Sequence, residues 1–256
     1  MNLRLEQQLF IVGGAGSGFG KAIATALLNE GAHVIAVARN EANLQQHFNQ
    51  YPNAQVVAAD ITLPATIGVL KNAVGKRMLH GIVVNAGGPP AKTVLETTLE
   101  DWDDAYQKIL RWKVALTQAF VPAMMANGYG RFVYIESSSV KQPIENLVLS
   151  NSLRLAVTGM VKTLSQEIAR SGVTLNIMGP GSHNTPAINR LYHKKSEQTG
   201  LHFDEVKDTA IKQIPVGFLG EADDFASLAL WLLSPHSRYV TGQVITVDGG
   251  MVKSTL

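Results

Sequence analysis

The feature that most restricts this chain is Gly13-Gly14-Ala15-Gly16-Ser17-Gly18-Phe19-Gly20, set between an apolar run and an amphipathic one. Glycine costs backbone entropy wherever it is placed. A cluster this dense marks a place where the chain turns sharply and another group approaches its backbone. Residues 8–12 before it read as a buried strand. Residues 18–30 after it have helical periodicity, and Gly31 provides a stop. A strand, a glycine turn and a helix in that order aim the unpaired N–H groups of the helix at the turn, where they attract an anion such as a pyrophosphate. The competing reading is a glycine-rich turn with no ligand, and the flanking strand and helix weigh against it.

The alternation continues to the end of the chain. Residues 8–12, 33–37, 55–58, 81–84, 131–135, 173–177 and 243–247 read as strands, mostly continuous in aliphatic residues as strands covered on both faces should be. Helical segments lie between them at 18–30, 40–50, 62–76, 99–127, 150–171 and 221–233. Ser171-Gly172 gives the fifth a glycine stop, and Pro122 should kink the fourth or end its regular part. Strands alternating with helices predict an α/β, Rossmann-type, doubly wound parallel sheet of seven strands in a single domain spanning 1–256. Residues 179–215 form the one irregular region. Too rich in helix formers for a plain turn, they read as an insertion over the sheet edge, with 182–214 as a substrate-covering segment.

The formal net charge of +2 gives no nucleic-acid groove and no polybasic membrane patch. With no cysteine, disulfides, zinc thiolates and a cysteine nucleophile are excluded, and no metal site is expected. Residues 1–9 do not read as a secretory signal, and no apolar stretch is long enough to span a membrane. These points together predict a soluble, cytoplasmic protein.

The tip of the second strand selects among nucleotides. An acidic residue there would accept from a ribose 2′-hydroxyl; here it reads Ala38-Arg39. Neutral Ala38 does not repel a 2′-phosphate, and Arg39 offers it a fork of donors, so NADP(H) is favoured over NAD(H). A solvated Arg39 at the helix start is the plainer reading. Asp60 and Ile61 follow the third strand, where Asp60 either meets an adenine amino group or begins the next helix. After the fourth, Asn85-Ala86-Gly87 places an amide that bridges neighbouring strands and a glycine that lets the backbone pass close to a ribose.

Gly14-x-x-x-Gly18-x-Gly20, Asn85-Ala86-Gly87, Gly130-Arg131 before a strand leading to Ser137, Pro180-Gly181, and Thr241-Gly242 through Asp248-Gly249-Gly250 occur in order. In these the chain resembles the short-chain dehydrogenase/reductase family over nearly its full length, in particular its 3-oxoacyl-(acyl carrier protein) reductase type. The resemblance implies cofactor contacts at Gly14, Gly16, Ser17, Gly18, Phe19, Gly20, Pro180, Gly181 and His183. It also implies a catalytic Asn, Ser, Tyr and Lys. Counted without gaps, those positions fall on Ile109, Ser137, Ser150 and Arg154. Only the serine is kept, so Ser137, Ser150 and Arg154 become the candidate catalytic residues. A serine hydroxyl is a far weaker acid than a phenol of pKa near ~10. Arg154 can hold ribose hydroxyls but cannot cycle its proton, and Ile109 cannot order water. Val140-Lys141-Gln142-Pro143 and Ser150-Asn151-Ser152-Leu153-Arg154 resemble a subgroup lacking the full tetrad.

Substitute acids are Lys141, His183 and Tyr192, each weighed against a plainer role as a solvated lysine, a structural histidine and a packed lid tyrosine. Glu136 reads either as an orienting group or as a carboxylate satisfied by backbone N–H groups, and Ser138 and Ser139 as loop hydroxyls. Two functions follow. One is an NADP(H)-dependent oxidoreductase of a carbonyl or secondary alcohol, possibly of 3-oxoacyl type, with an altered proton donor. The other is a nucleotide-binding sensor or partner subunit with little catalysis. The resemblance also implies a homotetramer or homodimer built on the fourth and fifth helices and the last strand, with Trp102, Trp112 and Phe120 assignable to that contact or to the core.

Overall fold

The computed structural model describes residues 1–255, the side chain of Ala187 excepted. β1 (Leu9–Gly13) is buried along its whole length and takes the centre of the sheet. β2 (His33–Ala38) and β3 (Ala54–Ala58) follow on one side of it. β4 (Gly81–Val84), β5 (Gly130–Ile135), β6 (Val173–Pro180) and β7 (Val244–Val247) extend the other. Every pairing is parallel, in the order β3-β2-β1-β4-β5-β6-β7. The winding reverses between β1 and β4. Open α/β sheets take their ligands in the crevice at the carboxyl ends of such strands.

Helices cover both faces. On one, Ile23 and Leu27 of α1 (Gly18–Asn29) and Phe225 and Leu230 of α9 (Ala222–Leu233) pack on Phe10, Val12, Val34 and Val133. On the other, Trp112, Leu116 and Phe120 of α5 (Trp112–Ala126) and Val157 and Val161 of α6 (Val148–Glu167) pack on Ile11, Ile82, Phe132 and Tyr134. Trp112 and Phe120 therefore belong to the core, while half-buried Trp102 donates from Nε1 to the Thr97 hydroxyl at 3.1 Å. α2 (Glu41–Phe48) and α3 (Pro64–Val74) complete the layers. Gly31 stops α1 as expected, at φ +76°, whereas α6 already ends at Glu167 and Gly172, at φ +78°, stops only the 3-10 turn Ala169–Ser171 that follows it.

The fourth helical segment departs from expectation. It is α4 (Leu99–Ala105), a wider π-helical stretch over Tyr106–Arg111, and then α5. The irregularity does not lie at Pro122, through which α5 continues to Ala126. Pro122 and Gln118, the residue four back whose carbonyl a proline cannot serve, both sit on the exposed side of the helix. α6 begins at Val148, two residues before the expected start at Ser150. The 179–215 region holds α7 (Pro186–Thr199), capped by the Thr185 hydroxyl, and α8 (Phe203–Ile211). These pack through Tyr192, Val206, Ile214 and Leu219. No helix among the described residues is long and apolar enough to cross a membrane.

Candidate nucleotide and reaction site

Gly14 holds φ +63°, in the left-handed region that favours glycine. Gly20 lies so close to the Gly14 carbonyl that a β-carbon there would overlap it. Together they bring α1 down onto the end of β1. Ser17, exposed at the start of α1, makes no side-chain capping bond, and the first turn carries no acidic residue. The leading N–H groups are therefore left for an anion. Phe19 packs tilted against Phe225, ring centres 4.3 Å apart, and so anchors the turn.

Ala38 lies beside Gly16, its Cβ 3.3 Å from where a β-carbon on that glycine would stand. Arg39 is exposed and makes no ion pair among the described residues. Asp60 Oδ1 accepts from the Thr62 N–H at 2.9 Å and its hydroxyl at 2.7 Å, so one carboxylate oxygen is spent on the turn leading to α3. Ile61 is buried against Gly13. Asn85 Nδ2 donates to the Gly13 carbonyl at 3.1 Å, joining the ends of β4 and β1. Beyond Ala86, a β-carbon on Gly87 would meet nothing within 4 Å. Pro180 ends β6, and Gly181 packs against Asp248, whose Cα is 2.7 Å from where a glycine β-carbon would stand. An uncapped helix start, open backbone at Gly87 and an unpaired guanidinium fit a phosphate-bearing dinucleotide.

At the end of β5 the extended chain sends neighbouring Glu136 and Ser137 to opposite sides. Ser137 Oγ accepts from the Ser139 N–H at 3.1 Å. Glu136 turns inward, and here sequence reasoning is corrected, because its carboxylate takes side-chain partners rather than backbone N–H groups. Oε1 pairs with Lys113 Nζ from α5, and Oε2 accepts from Arg154 Nη1 of α6 at 3.0 Å. Arg154 Nε donates to Ser150 Oγ at 3.0 Å, a pairing allowed by their separation of one helical turn. This is the one hydrogen bond of Ser150 Oγ among the described residues, so its own proton is uncommitted. Arg154 Nη2 makes none among them and lies 3.2 Å from where a β-carbon on Gly88 would stand. Burial pushes Lys113 down to about 8, with Glu136 opposing and Arg154 adding to the fall.

The structure thus joins Ser150, Arg154 and Glu136 and adds Lys113, which sequence reasoning missed. Ile109 is buried within the π-helical stretch. His183 is 3% exposed; its Nδ1 lies 3.1 Å from the Gly181 carbonyl and its ring stands edge-on to Phe19 and Phe225. Its imidazole is spent on packing against Phe19 of the glycine turn and Phe225 of α9. Tyr192 is buried among α7 and α8, and burial pushes its phenol up. Lys141 follows the 3-10 turn Ser138–Val140, in which Ser138 and Ser139 are buried, and it makes no ion pair among the described residues. Asn151 Nδ2 donates to the Ile144 carbonyl at 2.8 Å, so the loop following Lys141 is tied to α6.

One family model and three known proteins resemble this chain across the arrangement just described. A family model described as Enoyl-(Acyl carrier protein) reductase matches residues 14–252. The 3-oxoacyl-(acyl-carrier-protein) reductase FabG of Thermotoga maritima is 31% identical over 258 residues, 98% of this chain and 100% of its own. Dehydrogenase/reductase SDR family member 6 of Rattus norvegicus is 29% identical over 249 residues, 96% of this chain and 98% of its own. The structure of L-sorbose reductase from Gluconobacter frateurii complexed with NADPH and L-sorbose superposes with TM-score 0.92 at 24% identity, covering 99% of this chain and 100% of that one; this likeness speaks to fold alone. The matched stretch opens on Gly14 and runs past β7, so it takes in the glycine turn, the crevice and the Ser150–Arg154 pair together. Over nearly its whole length the chain belongs to the short-chain dehydrogenase/reductase family of NAD(P)-dependent oxidoreductases.

Proposed function

We propose that this protein is an NADP(H)-dependent oxidoreductase that interconverts a carbonyl and a secondary alcohol, of the 3-oxoacyl kind or close to it, with Ser137, Ser150 and Arg154 at the reaction centre. When bound, the reduced nucleotide supplies hydride. The phosphate-binding part falls to Gly14, Gly16, Ser17, Gly18, Phe19 and Gly20. Arg39 takes the 2′-phosphate, supported by its unpaired guanidinium and the neutral Ala38. Asp60 and Ile61 flank the adenine end. Asn85, Ala86, Gly87, Arg154, Pro180, Gly181 and the His183 segment line the nicotinamide end, under the covering segment 182–214.

The observation that carries the chemistry is the 3.0 Å bond from Arg154 Nε to Ser150 Oγ. The guanidinium favours the ionised serine that proton donation would leave behind, while Ser150 keeps its own proton for a substrate oxygen. Ser137 offers a second hydroxyl to that oxygen. A serine in this role is a weak acid, and turnover should be slow. Assembly as a homodimer or homotetramer is supported by Leu99, Tyr106 and Leu155, which α4, the π-helical stretch and α6 leave exposed. Residence in the cytoplasm fits the lack of cysteine.

A panel of ketones and 3-oxoacyl thioesters, read by NADPH consumption, tests the proposal. Calorimetry with NADPH and NADH tests the nucleotide. Slow turnover with tighter NADPH binding is expected. Nucleotide binding with no turnover on any substrate favours a sensor or partner subunit instead, a reading supported by the inability of Arg154 to pass on a proton.

A further inference from the structure

Two buried charges are not used by that reading. Lys113 is 2% exposed and Glu136 4%, and buried ions seldom repay their desolvation. Glu136 is shared between two cations, with one oxygen on Lys113 and the other on Arg154. Arg154 alone would balance that carboxylate, so the charge on Lys113 is surplus to pairing. The three groups carry one net positive charge, and the unit reaches Ser150 through the Arg154 Nε bond to its Oγ.

We propose that Glu136 and Lys113 are positioning residues for the reaction centre: Glu136 fixes the guanidinium of Arg154 so that Nε faces Ser150 Oγ, and Lys113 restores the positive charge that Glu136 would otherwise cancel there. The inference rests on Ser150 and Arg154 acting as the donor pair. In the step it serves, the carbonyl carbon gains hydride from the reduced nucleotide, which is oxidised. The carbonyl oxygen takes the Ser150 proton and becomes a hydroxyl, and the serine alkoxide recovers a proton from solvent. Arg154 keeps its proton throughout. Among the described residues Lys113 leads only to Glu136 and from there to Arg154, so it acts through charge and delivers no proton.

Lys113 is the member of the unit that exchanges its proton near neutral pH. The charged groups facing it are Glu136 from β5 and Arg154 from α6; Trp112 of its own helix offers a ring at 5.6 Å. Tyr134, two residues before Glu136, is held neutral by burial, its hydroxyl 2.8 Å from that of Thr117. Loss of the Lys113 proton leaves Glu136 and Arg154 cancelling, and a developing oxyanion beside Ser150 loses its support.

The test is kcat for ketone reduction at saturating NADPH, followed from well below to well above the Lys113 value of about 8. In the unaltered protein kcat should fall about tenfold as pH rises through that value. Lys113→Met should lower kcat about tenfold at neutral pH and remove the fall, while KM and NADPH affinity stay within about threefold. Lys113→Arg, a cation that does not titrate, should hold kcat up above that value. Unchanged kcat and pH profile in Lys113→Met would overturn the proposal and leave the Ser150–Arg154 reading standing. If the variants do not fold, the profile of the unaltered protein decides, and a flat kcat across the range overturns it. No turnover by the unaltered protein on any carbonyl would remove the underlying reading and this proposal with it.

Discussion

Lys113→Met should make the protein more stable. Three features of the structure fix the expectation. Lys113 is buried with its charge, Glu136 keeps Arg154 as a partner when Lys113 is removed, and methionine fills much of the space of the lysine stem. The gap between the ordinary lysine value of 10.5 and about 8 corresponds to about 3 kcal/mol against folding at neutral pH. Methionine avoids that term and loses the Lys113 approach to the Trp112 ring. The net gain should be about 2 kcal/mol, well within reach of urea unfolding. The pH dependence gives the sharper check. Between about 8 and 10.5 the unfolded chain still holds the lysine proton and the folded chain does not. Stability of the unaltered protein therefore gains from this group as pH rises, by about 1.4 kcal/mol per pH unit. The advantage of Lys113→Met should shrink across that window and vanish near its upper end. A variant less stable than the parent at neutral pH, or a difference that does not move with pH, would refute the reasoning.

Other substitutions probe the same scaffold. Glu136→Gln leaves two buried cations facing each other and should cost about 3 kcal/mol in urea unfolding at neutral pH, since an unpaired buried charge is left behind. Gly20→Ala drives a methyl into the Gly14 carbonyl, so it should cost about 1–3 kcal/mol and weaken nucleotide binding measured by calorimetry. Arg39→Ala should abolish most of the NADPH preference over NADH, by about tenfold in the ratio of dissociation constants, with NADH binding little changed.

Much of the fold was legible in the sequence because single-residue signals agreed with the periodicity. The aliphatic runs became strands, the glycine turn formed between β1 and α1, and Gly31 ended α1, while α6 stopped at Glu167, short of the expected Ser171-Gly172. The 179–215 insertion carried signals that went unused. Thr185-Pro186 starts α7 with a cap and an N-terminal proline, and Gly200 stops it at φ +72°. The start of α6 was misplaced because Leu147, which precedes it, offers no capping side chain.

The charged unit was harder to see. A π-helical turn inserts an extra residue, and each residue turns a helix by about 100°. Periodicity read straight from Leu99 therefore loses phase before it reaches Lys113. Nothing in side-chain propensity announces such a turn. The available signal was a pair of lone opposite charges, Lys113 within an apolar helical run and Glu136 at the end of an apolar strand. Neither names the other as its partner, and only the packing of α5 on β5 brings them together.

The most direct test of the central claim is NADPH consumption with an activated ketone by the unaltered protein and by Ser150→Ala, with nucleotide affinity measured on both. If Ser150 gives its proton to the substrate oxygen, the unaltered protein turns over slowly, and Ser150→Ala loses about 10²-fold in kcat while binding NADPH as before. Equal turnover by the two proteins would contradict the account, because the hydroxyl held by Arg154 would then have no part in the reaction.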